Sequence, residues 1–243
     1  MASLSDRMTG YAEVSQGRLM CKTPVIIRVD GRAFHTFTRG MRKPFDQTLM
    51  DAMDSAAMTT SEEMQGFKMG YVQSDEASFL LSDLDRPEAM GWFGYNHSKI
   101  VSLSAAMFSA NFVEEMRRRD IKRLNHHSPI FDARAFNVPI DEVSNYFLWR
   151  ARDWARNSLQ MLARVHYSQK QLHGKQRHDL HELLHEKNIN WTLDTTPRER
   201  NGLLFFGCGN TANPQPRFAE IDTIVSAAMM PGRETQHNAP IRT

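Results

Sequence analysis

Val25-Ile26-Ile27-Arg28-Val29-Asp30-Gly31-Arg32-Ala33-Phe34-His35 is the stretch whose reading decides the fold. The run 25–29 is β-branched apart from Arg28, and this near-continuous apolarity predicts a buried strand. The strand ends on a carboxylate, Asp30, and Gly31 then permits close approach of the backbone to a ligand. A second acid lies in Tyr71-Val72-Gln73-Ser74-Asp75-Glu76-Ala77-Ser78-Phe79, where Asp75 sits at the bend between two strand-like runs. If these strands are neighbours, both carboxylates project from one edge of the sheet. Hard cations such as Mg²⁺ take carboxylate and carbonyl oxygens and share them with substrate phosphates. Two such ions roughly 3.5–4 Å apart serve in-line phosphoryl or nucleotidyl displacement. The same residues also suit plain turns, since Asp-Gly after a strand and Ser-Asp in a hairpin are ordinary turn chemistry.

The elements around this stretch favour neighbouring strands. Residues 3–16 read as a short helix with Ser3 or Ser5 as N-cap. Asp46 can cap a helix through Met50, Met53, Ala57 and Met64, apolar at helical spacing and ended by Gly66. Its methionine stripe reads as core filler. Phe67–Gln73 and Glu76–Ser82 form a hairpin around Ser74-Asp75. Ser98 can cap a helix through Ile100, Leu103, Met107 and Phe108 toward Met116. Residues 130–136 alternate as a strand. The order β-α-β-β-α-β is the ferredoxin-like arrangement, in which the first strand lies beside the hairpin. It is also the core topology of polymerase palms and nucleotide cyclases, an analogy of fold alone.

The expected architecture is therefore α+β: a palm-like catalytic core over residues 1–138, then a helical region with a returning strand over 139–208. Within the latter, Asp141 is expected to cap a long helix to about His166, a polar helix covers roughly 174–187, and 201–206 is the last strand. The tail 209–243 carries Pro214, Pro216, Pro231 and Pro240 among polar residues, a composition that predicts loose order.

Composition narrows the class. The chain has 243 residues, 41% hydrophobic and 24% charged, which is globular usage. No apolar run approaches a membrane span, and the first residues hold no apolar leader core. Two cysteines, Cys21 and Cys208, are too few for a disulfide framework or a cysteine zinc site. A reducing, cytoplasmic setting is the expectation. Net charge is only +2, yet residues 116–187 hold 14 Lys/Arg against 8 Asp/Glu. Arg117-Arg118-Arg119-Asp120-Ile121-Lys122-Arg123 supplies much of the excess and reads either as a polyanion surface or as a solvated helix face. His181-Glu182-Leu183-Leu184-His185 matches H-E-x-x-H, the zinc-protease pattern, but lacks the glycine turn and third histidine of metzincins. A zinc metalloprotease remains a distant alternative reading.

Several motifs in register resemble one family. They are Pro24 through Arg39, Lys43-Pro44-Phe45-Asp46, Gln73 through Phe79, Ser98-Lys99-Ile100-Val101-Ser102, Phe131-Asp132-Ala133-Arg134, Trp149-Arg150, His173-Gly174-Lys175, Asn188-Ile189-Asn190-Trp191 and Arg200-Asn201-Gly202. Together they resemble the tRNA-histidine guanylyltransferase superfamily, over nearly everything from about Asp6 to Phe206. The resemblance implies 3′-to-5′ nucleotide addition, in which a tRNA 5′-monophosphate is activated with ATP or GTP and then attacked by the 3′-hydroxyl of an incoming nucleotide. It implies two Mg²⁺ ions on Asp30, Asp75 and the Gly31 carbonyl, with Glu76 in the catalytic set or turned into a salt bridge. The triphosphate would lie against Asp30, Gly31, Arg32, Ala33, Phe34, His35, Ser74 and Asp75. His35, Lys43, Asp46 and Lys99 would line the activating-nucleotide and phosphate region. RNA contacts are expected from Arg117, Arg118, Arg119, Arg156, Asn157 and Lys175, and the family implies a homotetramer.

One departure bears on the substrate. Eukaryotic members carry H-I-N-N-L-Y-N on the long helix, where this chain has Ala155-Arg156-Asn157-Ser158-Leu159-Gln160-Met161. The pattern is similar to the bacterial, archaeal or viral guanylyltransferase-like subgroup, for which template-directed 5′-end repair is the expected activity. Addition of a single G to tRNA-histidine is the alternative.

Overall fold

The computed structural model describes residues 3–14, 16–85, 87–124, 128–206 and 221–229. The elements run α1 (Leu4–Glu13), β1 (Val25–Gly31), α2 (Phe34–Phe37), α3 (Gln47–Glu62), β2 (Phe67–Gln73), β3 (Glu76–Leu81), α4 (His97–Leu124) and β4 (Phe131–Asn137). Then follow α5 (Val143–His166), α6 (Gln169–Leu172), α7 (Arg177–His185), α8 (Trp191–Asp194), α9 (Pro197–Asn201), β5 (Leu203–Phe206) and α10 (Ile221–Met229). The sheet has the order β4-β1-β3-β2-β5, with every neighbouring pair antiparallel. Its first four strands are the expected ferredoxin-like set, and the returning strand joins beside β2.

Both faces of the sheet are covered, which is why β1 reads as continuously apolar. Val25, Ile27 and Val29 point to one face and pack with Ala52, Met53 and Ala56 of α3 and Phe108 and Phe112 of α4. Ile26, with Tyr71 and Leu80, points to the other and meets Tyr146 and Phe147 of α5 and Ile221 and Val225 of α10. The tail thus contributes a packed helix, contrary to the loose order expected of it. A run such as Ile221–Met229, with Ile221, Ile224, Val225 and Met229 apolar at helical spacing, finds its cover on the sheet. The rest of the tail, like Cys208, lies outside the described residues.

Three helix starts show how caps are chosen. Asp46 caps α3 as expected, accepting from the Leu49 amide at 3.0 Å. Asn96, not Ser98, starts α4: its Oδ1 accepts the Lys99 amide at 3.0 Å, and Ser98 lies inside the first turn. Asp141 sits in a 3-10 turn, Ile140–Glu142, that leads into α5, and Glu142 occupies the N-cap with its side chain accepting from the Asn145 side-chain amide at 3.2 Å rather than from a backbone amide. Beyond the sheet, Leu159 and Leu162 of α5 pack with Leu180, Leu184 and Trp191 as a separate small core. Arg198 of α9 grips Asp54 of α3 through two bonds of 2.9 and 2.6 Å, fixing the entry to β5. Among the described residues no helix is long and apolar enough to cross a membrane.

Gly202 makes that entry possible. Its φ of +74° is left-handed, and a Cβ would lie 2.6 Å from the Tyr71 hydroxyl and 2.7 Å from the Val72 carbonyl oxygen. Gly202→Ala is expected to cost about 2–4 kcal/mol, from the left-handed backbone and the overpacking together. Urea denaturation measures it, and wild-type stability would contradict this account of the β2–β5 seam.

Candidate active site

Antiparallel register fixes which side chains share a face. Asp30 is opposite Glu76 on β3 and opposite Asp132 on β4. Three carboxylates therefore stand in a row across three strands, on the face covered by α5. Two residues deeper, Arg28 is opposite Ser78 and Arg134, and deeper again Ile26 is opposite Leu80 and Phe136. Acidic, basic and apolar rows succeed one another from the edge inward. Asp75 closes the hairpin at the same edge: its carbonyl accepts the Gly31 amide at 2.9 Å, and Ser74, at φ +46°, donates its hydroxyl to Asp75 Oδ1 at 2.9 Å.

The carboxylates differ in what holds them. Glu76 is buried, and Arg150 of α5 takes both its oxygens, Nε to Oε1 and Nη2 to Oε2, each at 2.7 Å. Gln73 adds a bond of 3.2 Å to Oε1, and Arg28 Nε stands 4.0 Å from Oε2. Glu76 is thus the salt-bridged member of the set. Among the described residues, nothing donates a hydrogen bond to the Asp30 carboxylate. Burial pushes its carboxyl up to about 6, Asp75, Glu76 and Asp132 push the same way, and Arg28 opposes them. Burial likewise raises Asp75, against the Ser74 bond. Half-buried acids left mutually repelling, beside the Gly31 carbonyl, are the donor set a hard cation fits. They do not close into a ready cage of three carboxylates, and a Mg²⁺ that shares its shell with phosphates needs only one or two.

Gly31 is required for a steric reason: a Cβ there would lie 2.4 Å from the Phe34 ring. Its amide and that of Arg32, which donates to Ile130 at 2.8 Å, are committed to the sheet. In the first turn of α2 the Thr36 amide donates to the Ala33 carbonyl at 3.0 Å, and the Phe34 and His35 amides ahead of it are the ones a helix start leaves without intrahelical acceptors. Ala33 precedes them in a left-handed conformation, φ +51°. Arg32, Ala33 and His35 are exposed, whereas Phe34 is buried against Phe112 and Phe131. Arg123 holds the loop after α2 through the Arg39 carbonyl at 2.6 Å.

The other expected residues scatter. Lys43 is exposed in the loop before α3, and Asp46 spends one oxygen on the Leu49 amide and the other on the Arg42 amide. Lys99 is not brought to the acids within one chain. Its neighbour Ile100 lines a small pocket with Val25 and Leu81, five strand residues or about 16 Å from Asp30. Arg117 and Arg118 are exposed but pair with Glu114, and Arg118 and Arg119 pair with Glu115, acids just outside the basic window. Arg156 and Asn157 both reach Asp153. Lys175 is exposed at a polar pocket beside the end of α5. His181 packs edge-on against Trp191. Among the described residues, the His/Asp/Glu atoms that converge as a group of three or more on α7 are those of His178, Asp179 and Glu182, and neither H-E-x-x-H histidine belongs to that group.

Arg150, Arg28 and Asp132 lie in the motifs quoted from the sequence but were given no place in the site there. Two signals were present. Arg28 and Asp132 fall at period two from Asp30 and Arg134, and Arg150 interrupts the buried stripe Tyr146, Phe147, Ala151, Trp154. A cation within an apolar stripe implies a buried partner.

A family model described as tRNAHis guanylyltransferase (Thg1) matches residues 5–139. The structure is similar to that of a bacterial tRNA(His) guanylyltransferase-like protein in complex with ATP, at TM-score 0.87 and 35% identity, covering 94% of this chain and 100% of that one. A second such bacterial protein, in complex with GTP, matches at TM-score 0.78 and 29% identity over 94% and 100%. The tRNA(His) guanylyltransferase of Schizosaccharomyces pombe is 33% identical over 146 residues, 58% of this chain and 53% of that protein. The probable enzyme of Mus musculus is 31% identical over 138 residues, 56% and 45% respectively. The chain thus spans about half the length of the curated relatives it matches. With the acid row and its flanking loop in place, the chain belongs to the tRNAHis guanylyltransferase (Thg1) family, a family of nucleotidyltransferases.

Proposed function

We propose that this chain adds nucleotides to the 5′ end of a tRNA in the 3′-to-5′ direction, after activation of the 5′-phosphate by ATP or GTP. The observation that carries the reading is the Asp30–Asp75 edge, two raised, metal-suited carboxylates beside a loop that presents the Phe34 and His35 amides, while the Thr36 amide is taken by the Ala33 carbonyl. Asp30, Asp75 and the Gly31 carbonyl would hold two Mg²⁺ ions, which supply neutralisation of the charge on the reacting phosphates. Arg150 keeps Glu76 in place, and Ser74 orients Asp75. Residues 30–35 cradle the triphosphate, with His35 and Lys43 as exposed donors at the loop. Exposed Leu4, Met8 and Tyr11 of α1 suit contact between copies in a homotetramer.

Template-directed repair is favoured over guanylylation of tRNA-histidine by Ala155. That position, where eukaryotic members carry histidine, is 3% exposed and packs with Leu159 and Leu162, so it offers no group to an RNA.

A 5′-truncated, 5′-monophosphorylated tRNA offered with Mg²⁺, ATP and all four nucleotides is expected to be extended according to its template. G addition to full-length tRNA-histidine alone would instead establish guanylylation. Asp30→Ala or Asp75→Ala is expected to lower addition by at least 10³-fold while leaving the circular-dichroism melt cooperative. Wild-type rates in either variant would sink the assignment.

The raised Asp30 carboxyl also predicts a pH dependence. A carboxyl that binds its proton more tightly folded than unfolded contributes stability at acid pH, and this is lost as pH rises through about 6. In EDTA, Asp30→Asn should therefore melt higher than wild type at pH 8 and near it at pH 4. Added Mg²⁺ should raise the wild-type melt above pH 6 and leave the variant unmoved. Identical pH profiles in EDTA would contradict the electrostatics of the row.

A further inference from the structure

Most of the basic residues expected to meet RNA are neutralised locally: Arg117, Arg118 and Arg119 by Glu114 and Glu115, Arg156 by Asp153. The basic excess of the α5–α7 region falls elsewhere. On α5, Arg152, Gln160 and Arg164 lie with the paired Arg156 at every fourth residue, a row that winds slowly along one side of the helix. Each step advances about 6 Å. The row ends at a polar pocket of about 210 Å³, where Gln160 and Arg164 meet Gln169, His173, Gly174 and Lys175. No acidic side chain lines it. Among the described residues, neither Arg164, His173 nor Lys175 has a side-chain hydrogen bond or ion pair. Gly174, at φ +74°, turns the chain so that His173 and Lys175 flank the opening. Cationic and donor groups facing one concavity, with no protein acceptor, are a site for an oxyanion.

We infer that this pocket is a docking site for phosphodiester groups of an RNA backbone, held by Arg164 and Lys175 with His173 and Gln160 as further donors. The inference rests on the polynucleotide substrate proposed above and names where that substrate is gripped away from the reacting end. α5 supplies the geometry. Arg150 touches Glu76 near one end of the helix, and Arg164 lies 14 residues further on, about 21 Å along the axis. An RNA whose 5′ end reaches the acid edge can follow the exposed row of α5, with Arg152 beside its path, and be anchored several nucleotides away. Contacts of this kind position the substrate without reading its sequence. Repair of differing tRNAs requires that property.

The test uses the full chain and the double variant Arg164→Ala/Lys175→Ala, with Arg164→Lys/Lys175→Arg as the charge-conserving control. Binding of labelled tRNA is followed by anisotropy across a salt series, and binding of ATP and of inorganic phosphate is measured separately. The alanine pair is expected to weaken tRNA about tenfold at 0.1 M salt. Its log-affinity against log-salt slope should fall by about 1.5–2, the loss of two phosphate contacts. The control should keep both, and ATP affinity should not change. Unaltered tRNA affinity and slope in the alanine pair, at a wild-type melting temperature, would overturn the inference. Weakened binding of ATP or phosphate with tRNA unaffected would overturn it too, assigning the pocket to a free phosphate compound. Failure of the wild-type chain to bind tRNA at all would contradict the polynucleotide reading itself, and the docking site with it.

Discussion

Three carboxylates opposed across β4, β1 and β3 are the constraint on which the rest of this structure depends. Like charges directly opposite in a sheet are unfavourable, and Asp30 has one on each side. The fold tolerates the row because one acid is taken out of the contest. Arg150 binds Glu76 through both oxygens in a buried pair, and Arg28 stands beneath it. Breaking such a pair leaves an uncompensated buried charge, which costs far more than the pair itself contributes. What remains at the edge is Asp30 with Asp132 opposite it and Asp75 from the hairpin, and burial raises both Asp30 and Asp75. The sheet thus stabilises the scaffold of the site while leaving its outer edge electrostatically unfinished.

α5 connects this edge to the rest of the molecule. Its apolar stripe covers the second face of the sheet, its one buried arginine reaches the acids, and its far end enters the small helical core around Trp191. Residues on both sides of position 138 therefore share one core. α9 and β5 return the chain to the sheet beside β2, with Arg198–Asp54 and the Tyr71 hydroxyl on the Asn201 carbonyl fixing the path. The helical region is built onto the sheet that carries the acid edge.

Much of this was legible in the sequence. The order of elements gave the sheet, because β1 is continuously apolar and the hairpin turns at Ser74-Asp75. Asp46 announced its helix. The parts that were not legible share a cause: they depend on register or on partners distant in the chain. Asn96 displaced Ser98 as a cap because either suits the role and only the approach of the preceding chain chooses between them. The tail helix was hidden by prolines on both sides of Ile221–Met229. Lys99 belongs to a motif beside the acids in reading order, yet the direction of α4 puts it at the opposite end of β1. The basic run at 117–119 left a polyanion surface and a solvated helix face both open, and the pairs with Glu114 and Glu115, one turn of helix earlier, favour the second.

The central claim is that the Asp30–Asp75 edge binds divalent cations together with a nucleotide. Titration of metal-stripped protein with Mn²⁺, followed by electron paramagnetic resonance with a non-hydrolysable ATP analogue present, tests it most directly. About two ions should bind per chain, and binding should fall to background in Asp75→Asn with the fold intact. Binding to that variant with wild-type stoichiometry and affinity would contradict the account.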